Sequence, residues 1–196
     1  MPNELPSNIP NDFAILHTQR ILASYKRWTG RDLLKPSHLP TIGLLFYAPF
    51  VVVTSNNATD PILNYGNQAG LNLWEMSWEK LTQTPGRHTA ESMHRDERQK
   101  FLDAVQKNGF IDNYSGIRIS SSGKRFKIEN ATVWNLIDEK GAYAGQAATF
   151  TSWKYLLCRL SEAQRQKKNR SVKPPLLAIG RIYSPVERAA QSKNQA

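Results

Sequence analysis

From Tyr114 onward the apolar side chains stop recurring every three or four residues and begin to alternate, and this switch constrains the fold more than any other feature of the chain. Residues 114–121 alternate with Ile117 and Ile119 on one side, and Ser122-Gly123 supplies a turn. Residues 125–137 then read as one long strand. Phe126, Ile128, Thr132, Trp134 and Leu136 are expected on one face, and Lys127, Glu129, Ala131, Val133, Asn135 and Ile137 on the other. Asp138 to Gly141 makes a second turn, and residues 143–151 form a last strand. Strands joined this tightly must pair antiparallel.

The first half of the chain carries helical spacing. Residues 1–10 hold three prolines and read as an arm. From Asn11 to Thr29 a stripe of Ala14, Ile15, Thr18, Ile21, Leu22, Tyr25 and Trp28 needs something to cover it, and Gly30 ends the pattern. Residues 46–54 are rich in β-formers, and 62–65 form a shorter strand candidate. Residues 68–81 read as one or two short helices, and 96–107 as an amphipathic helix closed by Asn108-Gly109. The order predicts an α+β fold: a five-stranded antiparallel sheet with short helices on one face and a flanking helix at each end. After Ser152, a stripe of Trp153, Leu156, Leu157 and Leu160 reads as the C-terminal flanking helix.

Charge is distributed unevenly. Of the net +10, residues 154–196 contribute +8, from ten basic and two acidic residues, so the body is nearly neutral and the extension basic. A single cysteine, Cys158, precludes an intramolecular disulfide and points to a cytoplasmic setting. No apolar run reaches the ~18 residues of a membrane span, and the first residues lack the features of a targeting segment.

Six separated blocks carry a resemblance. They are Asp60-Pro-Ile-Leu-Asn-Tyr-Gly-Asn67, Leu73-Trp-Glu-Met-Ser-Trp-Glu79, Gly109-Phe-Ile-Asp-Asn-Tyr-Ser-Gly-Ile-Arg118, Ser122-Gly-Lys-Arg-Phe126, Ala131-Thr-Val-Trp-Asn135 and Gly145-Gln-Ala-Ala-Thr-Phe150. Together they resemble the MEKHLA family, which is similar to PAS domains. The likeness runs over about residues 46–153, leaving 1–45 as arm, helix and loop and 154–196 as a basic helix and tail. Asn56 stands where bacterial members often carry a histidine, and the hexapeptide that names the family does not occur. The resemblance implies a PAS-like sensory or protein-interaction module, with a cavity between sheet and helices, and names no reaction.

The chemistry-bearing residues agree with that reading. No motif for nucleophilic catalysis or nucleotide binding occurs, so the chain is expected not to be an enzyme. His88, Glu91 and His94 are metal-capable, but their spacing is not a zinc-site pattern, and no metal site is expected. The cofactor is unknown. A photochemical flavin adduct is argued against because residues 82–95 hold no cysteine, and because Ala147, not Gln146, is expected to face the cavity. Haem is argued against because residues 96–107 hold no histidine. A ligand, where there is one, should meet Phe126, Ile128, Trp134, Ala147, Thr149 and Trp74. Tyr25, Trp28, Trp153 and Leu157 are candidate anchors for a homodimer or another protein. Arg165, Lys167, Lys168, Arg170 and Lys173 are the candidate contacts to a polyanion. They carry the alternative reading, weak and non-specific nucleic-acid binding through the tail.

Overall fold

The computed structural model describes residues 5–90 and 95–156, for 95–100 and 102 the backbone alone. The chain divides into two compact units, Met1–Cys158 and Arg159–Ala196, and the second lies outside the described residues. Helices α1 (Asn11–Thr29) and α2 (Thr41–Phe46) precede strands β1 (Val51–Ser55) and β2 (Leu63–Gly66). Helices α3 (Gln68–Trp74) and α4 (Trp78–Leu81), a 3-10 turn (Gly86–Thr89) and helix α5 (Arg95–Asn108) follow. The chain then runs through β3 (Phe110–Ile119), β4 (Arg125–Ile137), β5 (Tyr143–Phe150) and β6 (Ser152–Tyr155). All pairings are antiparallel, in the order β2-β1-β5-β4-β3, with β6 also on β4. The α+β class and the antiparallel sheet are those that the alternation predicts, with six strands in place of five.

Three features differ from the sequence reading. Phe46 ends a helix, and the first strand begins only at Val51 after the Pro49 turn. Ser152 and Trp153 open a strand where the sequence suggests a helix, because β4 is long enough to offer them a partner: Ile128 faces Trp153 and Phe126 faces Tyr155. That pairing continues the β4–β5 register, in which Thr132 faces Thr149. The third difference is that helices lie on both faces of the sheet, with α1 over the second, where Leu45 and Phe46 of α2 join its cluster.

Helix α1 docks through polar groups as much as apolar ones. Ala14, His17, Thr18, Ile21, Ser24 and Tyr25 are its buried positions, whereas Ile15 is 39% and Leu16 56% exposed. The buried stripe is therefore rotated from the one that hydrophobicity alone selects. His17 Nε2 lies 2.8 Å from Thr54 Oγ1, which donates to Asn64 Oδ1 at 2.5 Å. Since the threonine proton is committed to Asn64, His17 Nε2–H is the donor in the first bond. Ser24 Oγ accepts from the Ile137 amide at 2.9 Å, and Trp28 Nε1 donates to the Asn135 carbonyl at 3.0 Å. Gly109, which ends α5 with φ +91, leaves the space that the Trp28 ring fills: a Cβ there would sit 2.3 Å from it.

Asn67 joins α2, β1 and α3. It is fully buried, its Oδ1 accepts from the Val52 and Gly70 amides, and its Nδ2 donates to the Phe50 carbonyl at 2.7 Å. Asn67→Leu strands two buried amides and one buried carbonyl and should cost on the order of 3 kcal/mol or more in urea unfolding. A loss below about 1 kcal/mol would show that water replaces these bonds.

His17 supplies a pH signature. Burial, helped by Arg20, lowers its pKa from 6.5 to about 4. Between those values the unfolded chain binds the proton that the folded one refuses, so stability is full above 6.5 and falls as pH drops toward 4. The loss approaches about 3 kcal/mol. His17→Gln should flatten the difference in urea midpoint between pH 7 and 4.5 relative to the parent chain. Equal slopes would mean that His17 is protonated in place.

Candidate functional site: a pocket on the α3–α5 face of the sheet

The longest strand changes face in the middle. Asn130 adopts a left-handed conformation, φ +53, and the β3–β4 register shifts beside it. Before this point Phe126 and Ile128 pack with Trp74 of α3. Beyond it the odd residues inherit that face: Ala131 joins the same cluster and Val133 borders a pocket. Trp134 and Leu136 turn to the opposite face, where Trp134 is fully buried and meets Tyr25 of α1 edge-on at 5.0 Å. The alternation drawn from sequence therefore fails at one residue.

The pocket lies between the sheet and α3, the 3-10 turn and α5, with a cavity volume of about 70 Å³. Val53, Ile128, Val133, Ala148 and Phe150 form its sheet floor, and Leu63, Trp74 and Phe101 border it from other elements. Arg118 and Gln146 bring polar groups to it. Of the six residues expected here, Trp74, Ile128 and Ala147 border the pocket. Phe126 lies on the same face, packed on Trp74 at 5.5 Å between ring centres. Trp134 and Ala147 belong to the cluster beneath α1, and Thr149, two residues beyond Ala147 on β5, shares that face. Its hydroxyl donates to the Val51 carbonyl at 2.9 Å.

Gln146 corrects the expectation for the last strand. It pairs across from Asn135 and borders the pocket, so the pocket-facing residues of β5 are Gln146, Ala148 and Phe150. The face argument against a flavin therefore falls, and the absence of cysteine from residues 82–95 still stands. Size adds an independent constraint. Pockets for drug-sized ligands measure roughly 300–1,000 Å³, so a flavin would need this cavity to open.

One wall escapes the sequence reading altogether. Tyr114, Gly116 and Arg118 share the face of β3 opposite Ile117 and Ile119, and Arg118 is buried at 8% exposure. The Tyr114 ring stacks on Phe101 at 3.9 Å, and the Arg118 guanidinium lies 5.4 Å from the Tyr114 ring centre. Arg118 donates to the Tyr114 hydroxyl and to the Ile117 carbonyl, each at 2.9 Å. Gly116 makes this arrangement possible, because a Cβ there would lie 2.5 Å from the Tyr114 hydroxyl oxygen and 3.0 Å from Arg118 Nη1. The signal in the sequence is the spacing Tyr-x-Gly-x-Arg at one parity of an alternating strand. The apolar parity, Ile117 and Ile119, draws attention away from it.

The other candidate residues separate. Tyr25 is buried and Trp28 packs on Gly109, so both bind α1 to its own sheet and are not open anchors. Trp153 is half-buried against Phe150. His88 lies exposed in the 3-10 turn. Glu91, His94, Leu157 and the basic residues Arg165, Lys167, Lys168, Arg170 and Lys173 lie outside the described residues. Glu75 stands at the β3–β4 hairpin, held to about 2 by Lys124, Ser122 and Ser120, and serves to fix that turn.

Trp134→Ala should destabilise the chain by about 3–5 kcal/mol, the usual cost of removing a large buried aromatic. Because the ring sits beneath α1, the loss should be strongly non-additive with Tyr25→Ala in a double-mutant cycle. Additive losses would place the two rings apart.

Comparison with known proteins gives a family. The homeobox-leucine zipper proteins ATHB-9 and ATHB-8 of Arabidopsis thaliana are 27% identical over 96 residues and 25% over 135 residues. These stretches are 49% and 68% of this chain but only 11% and 16% of those proteins, so the chain spans a small part of their length. Among solved structures, a PAS domain from Colwellia psychrerythraea aligns at TM-score 0.48 and 14% identity, covering 58% of this chain and 91% of that one. The light-state dimer of the fungal photoreceptor Vivid aligns at 0.49 and 13%, covering 74% and 95%. The MEKHLA domain matches residues 15–155, from within α1 to the end of β6, and the chain belongs to the MEKHLA domain family.

Proposed function

We propose that this chain is a PAS-like sensory or interaction module that takes a small molecule between its sheet and helices and performs no catalysis. The observation that carries the reading is the pocket itself. It is a concave site with an apolar floor onto which polar side chains converge, Arg118 and Gln146 among them. Its described lining offers hydroxyls and N–H donors on apolar walls, with no carboxylate or imidazole among them to act as a base. A binding role fits such a lining better than a catalytic one.

The module would act on a second copy of itself or on another protein in the cytoplasm. With Tyr25 and Trp28 engaged beneath α1, Trp153 remains as the described anchor. No helix among the described residues is long and apolar enough to cross a membrane. The charge of residues 154–196 favours a second reading, in which that segment attracts nucleic acid electrostatically. Affinity for duplex DNA should then collapse between low and physiological salt. Sequence-selective binding that survives high salt would put this reading first.

The main reading is tested by filling the pocket. Ala148→Leu adds bulk to the floor between Val53 and Val133. A thermal-shift screen of small molecules at millimolar concentration should raise the Tm of the parent chain, and the filled variant should lose those shifts while still unfolding cooperatively. A screen that raises neither Tm would leave a pure interaction module.

A further inference from the structure

We propose that the pocket recognises a short-chain carboxylate, with Arg118 as its counter-ion. The inference deepens the small-molecule reading above and rests on it. Arg118 is the one charged side chain among the described pocket residues. It is buried on the same strand face as Phe126, opposite which it pairs. Among the described residues no carboxylate lies within ion-pair distance of it. Its partners are neutral, the Tyr114 hydroxyl and the Ile117 carbonyl, and they use two of the five N–H groups that a guanidinium offers.

Taking a guanidinium out of water without a counter-charge is costly. Stacking on Tyr114 offsets part of that cost and supplies no negative charge. A carboxylate does, and its two oxygens match the planar fork of the guanidinium. Trp74 borders the same pocket and is 3% exposed, so its indole reports on what enters there.

The remaining lining sets the rest of the ligand. One cation calls for a monoanion. The apolar side chains of Val53, Ile128, Val133 and Phe150 call for a hydrocarbon body. A volume of about 70 Å³, a little more than two waters in bulk, keeps that body short.

The probes are butyrate and its neutral isostere butyramide, titrated into the full-length chain while the Trp74 indole N–H is followed by NMR. Butyrate should shift that resonance and bind at least tenfold more tightly than butyramide. Arg118→Gln should bring butyrate to the level of butyramide and leave butyramide unchanged. The acid–amide comparison in the parent chain needs no variant, so it stands even where Arg118→Gln does not fold. Equal affinities, or a butyrate response that leaves the Trp74 indole unmoved, would overturn the proposal. Binding of butyramide alone would also overturn it, while supporting a small-molecule pocket. If neither probe binds, the carboxylate proposal fails and the broader reading rests on the thermal-shift screen.

Discussion

Everything on the two faces of this sheet depends on a single break in its longest strand. A thirteen-residue strand with unbroken alternation would place Phe126, Ile128 and Trp134 on one side. Asn130 instead takes a left-handed conformation, which costs little for asparagine and much for a β-branched residue. The neighbouring strand breaks at the same level, between β5 and β6, so the β4 pairing keeps its register across the fault. Both strands therefore exchange faces together. One end of β4 gives its even residues to the α3 side, and the other end gives them to α1.

This exchange explains why α1 belongs to the domain and is not an appendage. Beyond Asn130, residues 131–136 are all buried, and a strand buried on both faces must be covered on both. Helix α1 provides the second cover, and polar bonds fix its position. His17 reaches β1, Ser24 and Trp28 reach the backbone of β4, and Arg31 just past the helix pairs with Asp112 of β3 at 2.9 Å. Non-directional apolar burial would let the helix slide along the sheet. Directional bonds at successive turns set its register and rotation, and they leave Ile15 and Leu16 outside.

The parts legible in the sequence were those written as periodicity or turn chemistry. The bounds of α1 and β4, the short helices after β2 and the hairpin turns follow from spacing, Gly and Asn-Gly signals alone. The parts hidden were those in which a polar residue does the work of an apolar one. The true stripe of α1 includes His17 and Ser24, which a hydrophobic count discards. Arg118 looks like the solvated side of an amphipathic strand, and only the stack of Tyr114 over Gly116 makes it interior. An asparagine within a strand tolerates the left-handed conformation of a bulge, and Asn130 adopts it, so Trp134 and Val133 lie on the faces opposite to those that unbroken alternation assigns.

The same break ties the pocket to the covered face. Val133 borders the pocket, and Trp134, the next residue, packs against Tyr25 of α1. On the paired strand Gln146 borders the pocket, and Ala147 lies in the cluster beneath α1. Neighbouring side chains of a strand point to opposite faces and share one backbone, so a strand displaced from the pocket side must displace what α1 rests on. Close packing makes that displacement expensive to absorb locally, because a fully buried indole has no free volume to move into. The polar pins of α1 respond by a different law. A hydrogen bond weakens steeply with angle, so a rotation of β4 too small to open the core can still unseat Ser24 from Ile137 or Trp28 from Asn135. An event in the pocket would therefore reach the outer surface first as a change in how α1 is held, before any loss of the fold.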